Sequence, residues 1–351
     1  MRHRTNDRAR SDILMTPPRL RLSDSAIDVP EREATPMPRG LEAIIETTQR
    51  DREGPVAVRL AAVAVFAVLS VPAAPSLLPS AELHAQGRPG AIAQEGYADV
   101  PGARLWFTDT GGSGVPLVLL HAATGSVRSW ELQIPAFSAA GYRVIAFDRR
   151  GWGRSLVQQT DPPGTAADDL RALMNHLGVE RAHLVGTAAG GFGALDFALS
   201  FPERLRSLVF ANSIGGVQDE EYLQLGRRLR PAGFDALPPE FREVGPSYRA
   251  ENPEGTRRWI DLEHISRPSG TRAPAQPTKN RITFALLETV KVPTLLLTGD
   301  ADLYAPPAVL RLFAAHIKHA ELVTVPEAGH STYWERPEVF NRTVLDFIRR
   351  H

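Results

Sequence analysis

The chain has 351 residues, of which 43% are hydrophobic and 23% charged, a composition typical of a globular protein with a large core. Forty basic side chains balance forty acidic ones, so the charge does not favour nucleic acid or an anionic membrane surface as a partner. The chain has no cysteine, which excludes disulfides, thiolate catalysis and cysteine metal ligands.

The first part of the chain lacks the pattern of a folded domain. Residues 1–55 are polar and rich in Arg, Pro and acidic residues, which predicts a disordered segment or an extension from a misassigned start. An uncharged apolar run at 60–71 follows Arg59, and Pro72 follows it in turn. The run suits the core of a signal peptide and is short for a membrane span of about 20 residues. Residues 56–85 are therefore predicted to be a signal-peptide-like or anchor segment.

This segment predicts where the protein resides. We expect an exported protein, periplasmic or secreted, or a membrane-anchored one, while a cytoplasmic location stays open. A membrane is expected as a partner only if residues 60–71 are an uncleaved anchor.

From about residue 97, short apolar runs alternate with helical patterns, which is typical of an α/β protein. The runs lie at 105–108, 116–120, 143–147, 182–185, 207–211, 294–298 and 321–325. The helical patterns lie near 129–140, 165–177, 191–200, 306–317 and 336–350. Several runs are continuously apolar, as in strands buried on both faces. Thr165 with Asp168 predicts a helix start, and Gly178 predicts the end of that helix.

Residues 217–287 interrupt this alternation with a stretch rich in Arg, Pro and Glu, including a helical piece at 219–230. We interpret it as a lid inserted between two core strands, so that the α/β core comprises residues 95–216 and 288–351. Such an insertion is expected to cover the carboxyl edge of the sheet, where open α/β sheets bind ligands.

The most informative motif is Gly186-Thr187-Ala188-Ala189-Gly190, which follows one apolar run and precedes a helical pattern. The spacing is that of the G-x-S-x-G nucleophile elbow, a strained strand-to-helix turn that presents a serine hydroxyl. The serine position holds Ala188, whose methyl group can neither attack a substrate nor give up a proton. A covalent acyl-serine at this position is excluded, and the neighbouring Thr187 is expected to point away from the tip of the turn.

Four further segments follow predicted strands: 121–126 (HAATGS), 148–155 (DRRGWGRS), 299–302 (GDAD) and 329–330 (GH). Together with the elbow they resemble the α/β-hydrolase superfamily over residues 97–351. The resemblance implies the α/β-hydrolase fold, in which helices flank a mostly parallel central sheet and an inserted lid covers it.

The resemblance also implies roles for particular residues. Asp302 matches the acid of the family's catalytic triad, His330 matches its base, and Ala188 occupies the nucleophile position in inert form. The backbone amides of Ala123 and Ala189 match the donors of the oxyanion hole. In such a triad the carboxylate orients the imidazole, which takes the proton of the nucleophile.

Other residues near these motifs have both a functional and a structural interpretation. Asp300 competes with Asp302 for the acid role, although its position in a glycine turn favours loop capping. Possible pocket residues are Thr124, Ser126, Trp130, Thr187 and Tyr304. The two loop hydroxyls equally suit local turn contacts, and the aromatic rings equally suit the core.

The sequence shows no phosphate loop or metal-ligand cluster, and residues 186–191 do not fit the dinucleotide fingerprint. We therefore expect a small-molecule substrate and neither a cofactor nor a metal. Three functions stay open. One is a hydrolase-type enzyme for a small, mostly apolar ester, lactone or C–C bond substrate, inactivated at Ala188. Another is a non-covalent general-base enzyme of lyase or cofactor-free oxygenase type that uses His330 and Asp302. The third is a non-catalytic small-molecule binding protein.

Overall fold

The structure is a computed structural model that describes residues 90–158, 163–230, 232–267 and 276–351. The predicted extension at 1–55 and the signal-peptide-like segment at 56–85 lie outside these residues. Among the helices that the structure describes, none combines the length and apolar character that a membrane crossing requires.

Nine strands form one sheet in the described part of the chain. They are β1 (Gln94–Val100), β2 (Ala103–Asp109), β3 (Pro116–Leu120), β4 (Arg143–Phe147), β5 (Leu156–Val157), β6 (Ala182–Thr187), β7 (Leu205–Ala211), β8 (Thr294–Gly299) and β9 (Glu321–Val325). Their order is β1-β2-β4-β3-β6-β7-β8-β9, and β5 pairs with β2 at the side. Every neighbouring pair from β4 to β9 is parallel, whereas β1, β2 and β5 pair antiparallel. The predicted, mostly parallel sheet is confirmed.

All seven predicted strands are present, and those at 116–120, 143–147 and 321–325 have the predicted bounds. Sequence analysis missed β1 and β5. Strand β1 is an antiparallel edge strand with several exposed residues, so it lacks the continuous apolar run of the inner strands. Strand β5 comprises only two exposed residues.

The helices lie between the strands and beyond them. They are α1 (Ile134–Ala139), α2 (Ala166–His176), α3 (Ala189–Ser200), α4 (Glu220–Leu229), α5 (Pro239–Glu243), α6 (Pro246–Glu251), α7 (Pro253–Ser266), α8 (Phe284–Leu287), α9 (Pro307–His316), α10 (Thr332–Glu335) and α11 (Pro337–Ile348). The helix expected at 129–140 is instead a 3-10 turn at Val127–Trp130 followed by α1. Helix α2 begins as predicted, because the Thr165 hydroxyl accepts the Asp168 amide at 3.1 Å. Gly178 has a φ of +65° just beyond the end of α2.

The apolar core forms two layers, one on each face of the sheet, as neighbouring residues of β3 illustrate. Leu120 packs in one layer with Leu170 of α2 and Leu195 of α3. Leu119 packs in the other layer with Phe340 of α11. Because side chains alternate between the faces of a strand, two covered faces require the continuous apolar runs seen in the sequence.

The chain between β7 and β8, which we call the insertion, contains helices α4 to α8. The helical piece expected at 219–230 is α4, whose N-cap residue is Asp219. At the far end of the insertion, Ile282 and Leu287 are fully buried in the core layer that contains α2 and α3. The insertion therefore leaves the core after β7 and has returned to it before β8 begins.

Candidate active site

Strand β6 passes directly into α3 through Ala188, which has φ 50° and ψ −118°. A positive φ is unusual for a non-glycine residue and costs about 1–3 kcal/mol. Contacts hold this turn in place. The Ala188 amide donates to Ala211 O at 3.0 Å, and the Ala188 carbonyl accepts from Ser213 Oγ at 2.6 Å and the Gly191 amide at 3.0 Å. The predicted strained strand-to-helix turn is therefore present, with a methyl group at its tip.

The glycines around this turn are required by close packing. A Cβ added to Gly190 would stand 2.2 Å from the carbonyl oxygen of Leu120. A Cβ added to Gly186 would stand 2.7 Å from the Gly190 oxygen. Small residues let α3 start close against β3, so the backbone has the tight turn that the elbow motif predicts, with Ala188 at its tip.

His330 and Asp302 lie together beside the ends of β8 and β9. His330 Nδ1 is 2.9 Å from each carboxylate oxygen of Asp302, and both side chains are buried. The Asp302 carboxylate also accepts the amides of Tyr304 and Ala305, both at 2.8 Å. Asp300, the competing candidate, is exposed. The geometry thus pairs His330 with Asp302, and this carboxylate fixes the orientation of the imidazole.

A side chain that sequence analysis missed completes the support of this pair. Asn212 follows β7 and has a φ of 47°. Its Nδ2 atom donates to Asp302 Oδ2 at 3.1 Å and to Thr332 Oγ1 at 2.8 Å. Its position after a predicted strand is the same signal that marked the other site residues, but no motif surrounds it.

The two members of the pair shift each other's pKa. Burial raises the pKa of Asp302, but the charge and hydrogen bond of His330, with other donors, outweigh burial and lower it. Burial disfavours the charged imidazole, yet the Asp302 carboxylate, helped by Glu243 and Glu335, raises the pKa of His330 to about 9. His330 therefore holds its proton more strongly than an exposed histidine, and the deprotonated form, which could act as a base, becomes more abundant as the pH rises.

A cavity of about 1000 Å³ opens beside this pair. Its core side is lined by Ala123, Thr124, Trp152, Ala188, Ala189, Phe192, Asn212, Ser213, Ile214, Tyr304 and His330. The insertion contributes Arg230, Asp235, Arg242, Glu243 and Arg267. These charges were not expected, because the sequence analysis predicted a mostly apolar substrate. The insertion is rich in Arg and Glu, but composition alone does not show which charged side chains face the cavity.

The two amides assigned to the oxyanion hole lie at this cavity. Among the described residues, neither Ala123 N nor Ala189 N donates to a protein acceptor. The loop before Ala123 is fixed by the buried His121, whose Nδ1 lies 2.7 Å from Ala122 O and whose Nε2 accepts the Arg149 amide at 2.9 Å. Burial lowers the pKa of His121 well below its usual value, so this imidazole is neutral and structural.

The other pocket candidates divide between the cavity and the core. Thr124 and Tyr304 line the cavity. Trp130 is fully buried and packs against Tyr333, with ring centroids 5.0 Å apart, so it belongs to the core and not to the pocket. The Ser126 hydroxyl accepts a hydrogen bond from the Ser266 hydroxyl at 2.8 Å, and Ser126 lines a separate cavity of about 350 Å³. Thr187 is fully buried and does not line the main cavity, in agreement with a side chain directed away from the tip.

One buried carboxylate joins the insertion to the loop that carries His330. Glu335 Oε2 accepts the amides of Gly245 at 2.8 Å and Gly329 at 2.9 Å, and Oε1 accepts the Ser331 amide at 3.1 Å. Gly245 belongs to the insertion, whereas Gly329 and Ser331 flank His330. We call this arrangement the Glu335 clamp. Sequence analysis missed it because Gly245 lies 90 residues before Glu335 in the chain.

Residues 117–343 match the model of the Alpha/beta hydrolase family. The chain belongs to this family. It is 33% identical over 272 residues to a 2-hydroxy-6-oxononadienedioate/2-hydroxy-6-oxononatrienedioate hydrolase of Burkholderia vietnamiensis, which covers 70% of this chain and 91% of the relative.

Solved structures of α/β hydrolases share the fold of this chain. A thermophilic esterase from Thermogutta terrifontis is 29% identical with a TM-score of 0.62, over 74% of this chain and 99% of the esterase. An enol-lactonase from Burkholderia xenovorans is 26% identical with a TM-score of 0.61, over 72% of this chain and 100% of the lactonase. In the described part of this α/β hydrolase, no group of three or more His, Cys, Asp or Glu side chains is placed to hold a metal ion.

Proposed function

We propose that this α/β hydrolase is an enzyme that cleaves a small substrate without a covalent acyl-enzyme, and that Ala188 occupies its nucleophile position. The observation that carries the proposal is the His330–Asp302 pair, which is fully assembled at a cavity that Ala188 also lines. Because the Ala188 methyl cannot attack, the nucleophile is a water molecule from which His330 takes a proton.

The remaining parts of the site support such a reaction. His330 Nε2 takes a proton from water as the water oxygen bonds to the carbonyl carbon of the substrate. The amides of Ala123 and Ala189 donate to the oxyanion that forms, and each such donor is typically worth about 10²–10³ in rate. Asp302 holds the imidazole and stabilises its positive charge. When the bond to the leaving group breaks, the leaving atom keeps the electron pair and receives a proton.

The charges that line the cavity indicate which substrates it accepts. Arg242 Nη1 donates to the Tyr304 hydroxyl at 3.1 Å, and the buried Nε atom of Arg242 has no partner among the described residues. A substrate carboxylate would satisfy such a donor. The name of one relative, a hydrolase of dienedioates, supports a substrate carboxylate, and the names of the esterase and the enol-lactonase support the type of bond. We therefore infer an ester, a lactone or a cleavable C–C bond in a small anionic molecule.

The test is to replace the base and to measure turnover and binding separately. His330→Ala is expected to lower turnover by about 10²–10⁴-fold, because general-base catalysis contributes that much, while substrate affinity changes only a few-fold. His264→Ala, an exposed histidine on α7, is the matched control and should behave as the native protein. A ligand that is bound but never consumed, with an affinity insensitive to His330→Ala, would show that the protein is a binder and not an enzyme.

A further inference from the structure

Glu243, the last residue of α5, is a buried carboxyl group that the triad does not use. It lines the same cavity as His330 and Ala188, and it is only 8% exposed. A buried carboxyl group is costly unless it is paired or keeps its proton. A physical reason is therefore needed for a buried carboxyl group in the lining of this cavity.

The backbone of Glu243 is tied to the loop that carries the base. The Glu243 carbonyl accepts the amide of Ser331, the residue after His330, at 2.9 Å. Two residues later, Gly245 is held by the Glu335 clamp, which also holds Gly329. The residues on both sides of His330 are thus hydrogen-bonded to the segment that carries Glu243, either directly or through Glu335. These bonds limit how far the backbones at Glu243 and His330 can move apart.

The Glu243 carboxyl group accepts no hydrogen bond from the described residues, although it lies in the field of several charges. The ionisable groups that interact with it are His330, Asp302, Arg242, Glu263, Tyr304 and Tyr333. Burial raises the pKa of Glu243, and the opposing effects of His330 and Arg242 do not cancel that rise. Glu243 therefore keeps its proton at a higher pH than an exposed glutamate.

We propose that Glu243 is a second proton-transfer group of this site, which protonates the leaving group. This inference rests on the proposed function. As His330 removes a proton from the attacking water, the Glu243 carboxylic acid gives its proton to the leaving oxygen or carbon while that bond breaks. The protonated His330 then returns its proton to the Glu243 carboxylate. Protons balance over the cycle, and no covalent bond to the protein forms.

The leaving group provides the first test, because p-nitrophenolate departs without a proton whereas methoxide needs one. The measurement is the kcat/KM of p-nitrophenyl butyrate and of methyl butyrate for the native enzyme and Glu243→Gln. The ratio of methyl to p-nitrophenyl rates is expected to fall by about 10²–10⁴-fold in Glu243→Gln. Glu240→Gln on the same helix is the matched control and should keep the ratio. A ratio that Glu243→Gln leaves unchanged would overturn the proposal.

A second readout does not depend on turnover. Titration of the His330 imidazole by NMR is expected to show a lower pKa in Glu243→Gln, because Glu243 favours the imidazolium in those molecules in which it is ionised, whereas the neutral amide of glutamine never does. If the pKa of His330 is the same in both proteins, the Glu243 carboxyl group does not face the base. That result would overturn the role of Glu243 and leave the proposed function standing. If instead neither ester depends on His330, the proposed function itself fails, and the role of Glu243 fails with it.

Discussion

The Glu335 clamp predicts a large and graded loss of stability on substitution. Glu335→Ala leaves the buried backbone amides of Gly245 and Gly329 without an acceptor, whereas the Ser331 amide keeps the Glu243 carbonyl at 2.9 Å. A buried donor left unsatisfied costs about 1–3 kcal/mol, so two of them, partly relieved by water, should lower the free energy of unfolding by about 3 kcal/mol. Glu335→Gln keeps one acceptor oxygen for these two amides, so its loss should be about 1 kcal/mol.

Urea unfolding followed by circular dichroism measures this difference directly. Glu338→Ala provides the control, since Glu338 is exposed on the neighbouring α11, and its change should stay within about 0.5 kcal/mol. If the free energy of unfolding of Glu335→Ala is within about 1 kcal/mol of the native value, the hydrogen bonds to Glu335 do not stabilise the fold as proposed.

Two further predictions concern the base and the elbow. The pKa of His330 is raised to about 9, and the base form is the deprotonated one, so kcat/KM for p-nitrophenyl butyrate, whose leaving group needs no proton, should rise with pH through about 9. Asp302→Asn should move that midpoint to lower pH, and a profile that falls over this range would contradict the assignment. Gly190→Ala should destabilise the fold by about 3 kcal/mol or prevent folding, because its Cβ would stand 2.2 Å from the Leu120 oxygen. Gly226→Ala, in open space on α4, should instead stabilise by about 0.5–1 kcal/mol, and equal effects in thermal unfolding would refute the packing argument.

The sheet could be predicted from the sequence wherever both faces of a strand are covered. Strands such as β3 and β4 are continuous apolar runs, and the bounds predicted for them were correct. Strand β1 lies at the antiparallel edge, where half-exposed positions weaken the apolar pattern. One helix was expected at 129–140, but the structure has a 3-10 turn followed by α1. The apolar pattern does not distinguish these two arrangements.

The site could be predicted where its chemistry is local in the chain. Ala188, Asp302 and His330 lie in short motifs at strand ends, so spacing alone singled them out. Glu243 and Glu335 could not be found in this way, because their importance arises from contacts between the insertion and the His330 loop. For Trp130 and Ser126 the sequence left a pocket role and a structural role open, because motif position does not show where a side chain lies. The structure places Trp130 in the core and Ser126 at a separate cavity.

The central claim is that Ala188 stands at the nucleophile position of a site whose base, acid and backbone donors are already in place. The most direct measurement is the intact mass of the native protein and of Ala188→Ser after treatment with a fluorophosphonate, which reacts only with an activated hydroxyl. We expect no adduct on the native protein and one adduct, at position 188, on Ala188→Ser. A folded Ala188→Ser that stays unlabelled, or a native protein labelled at Thr187 or Thr124, would contradict the account.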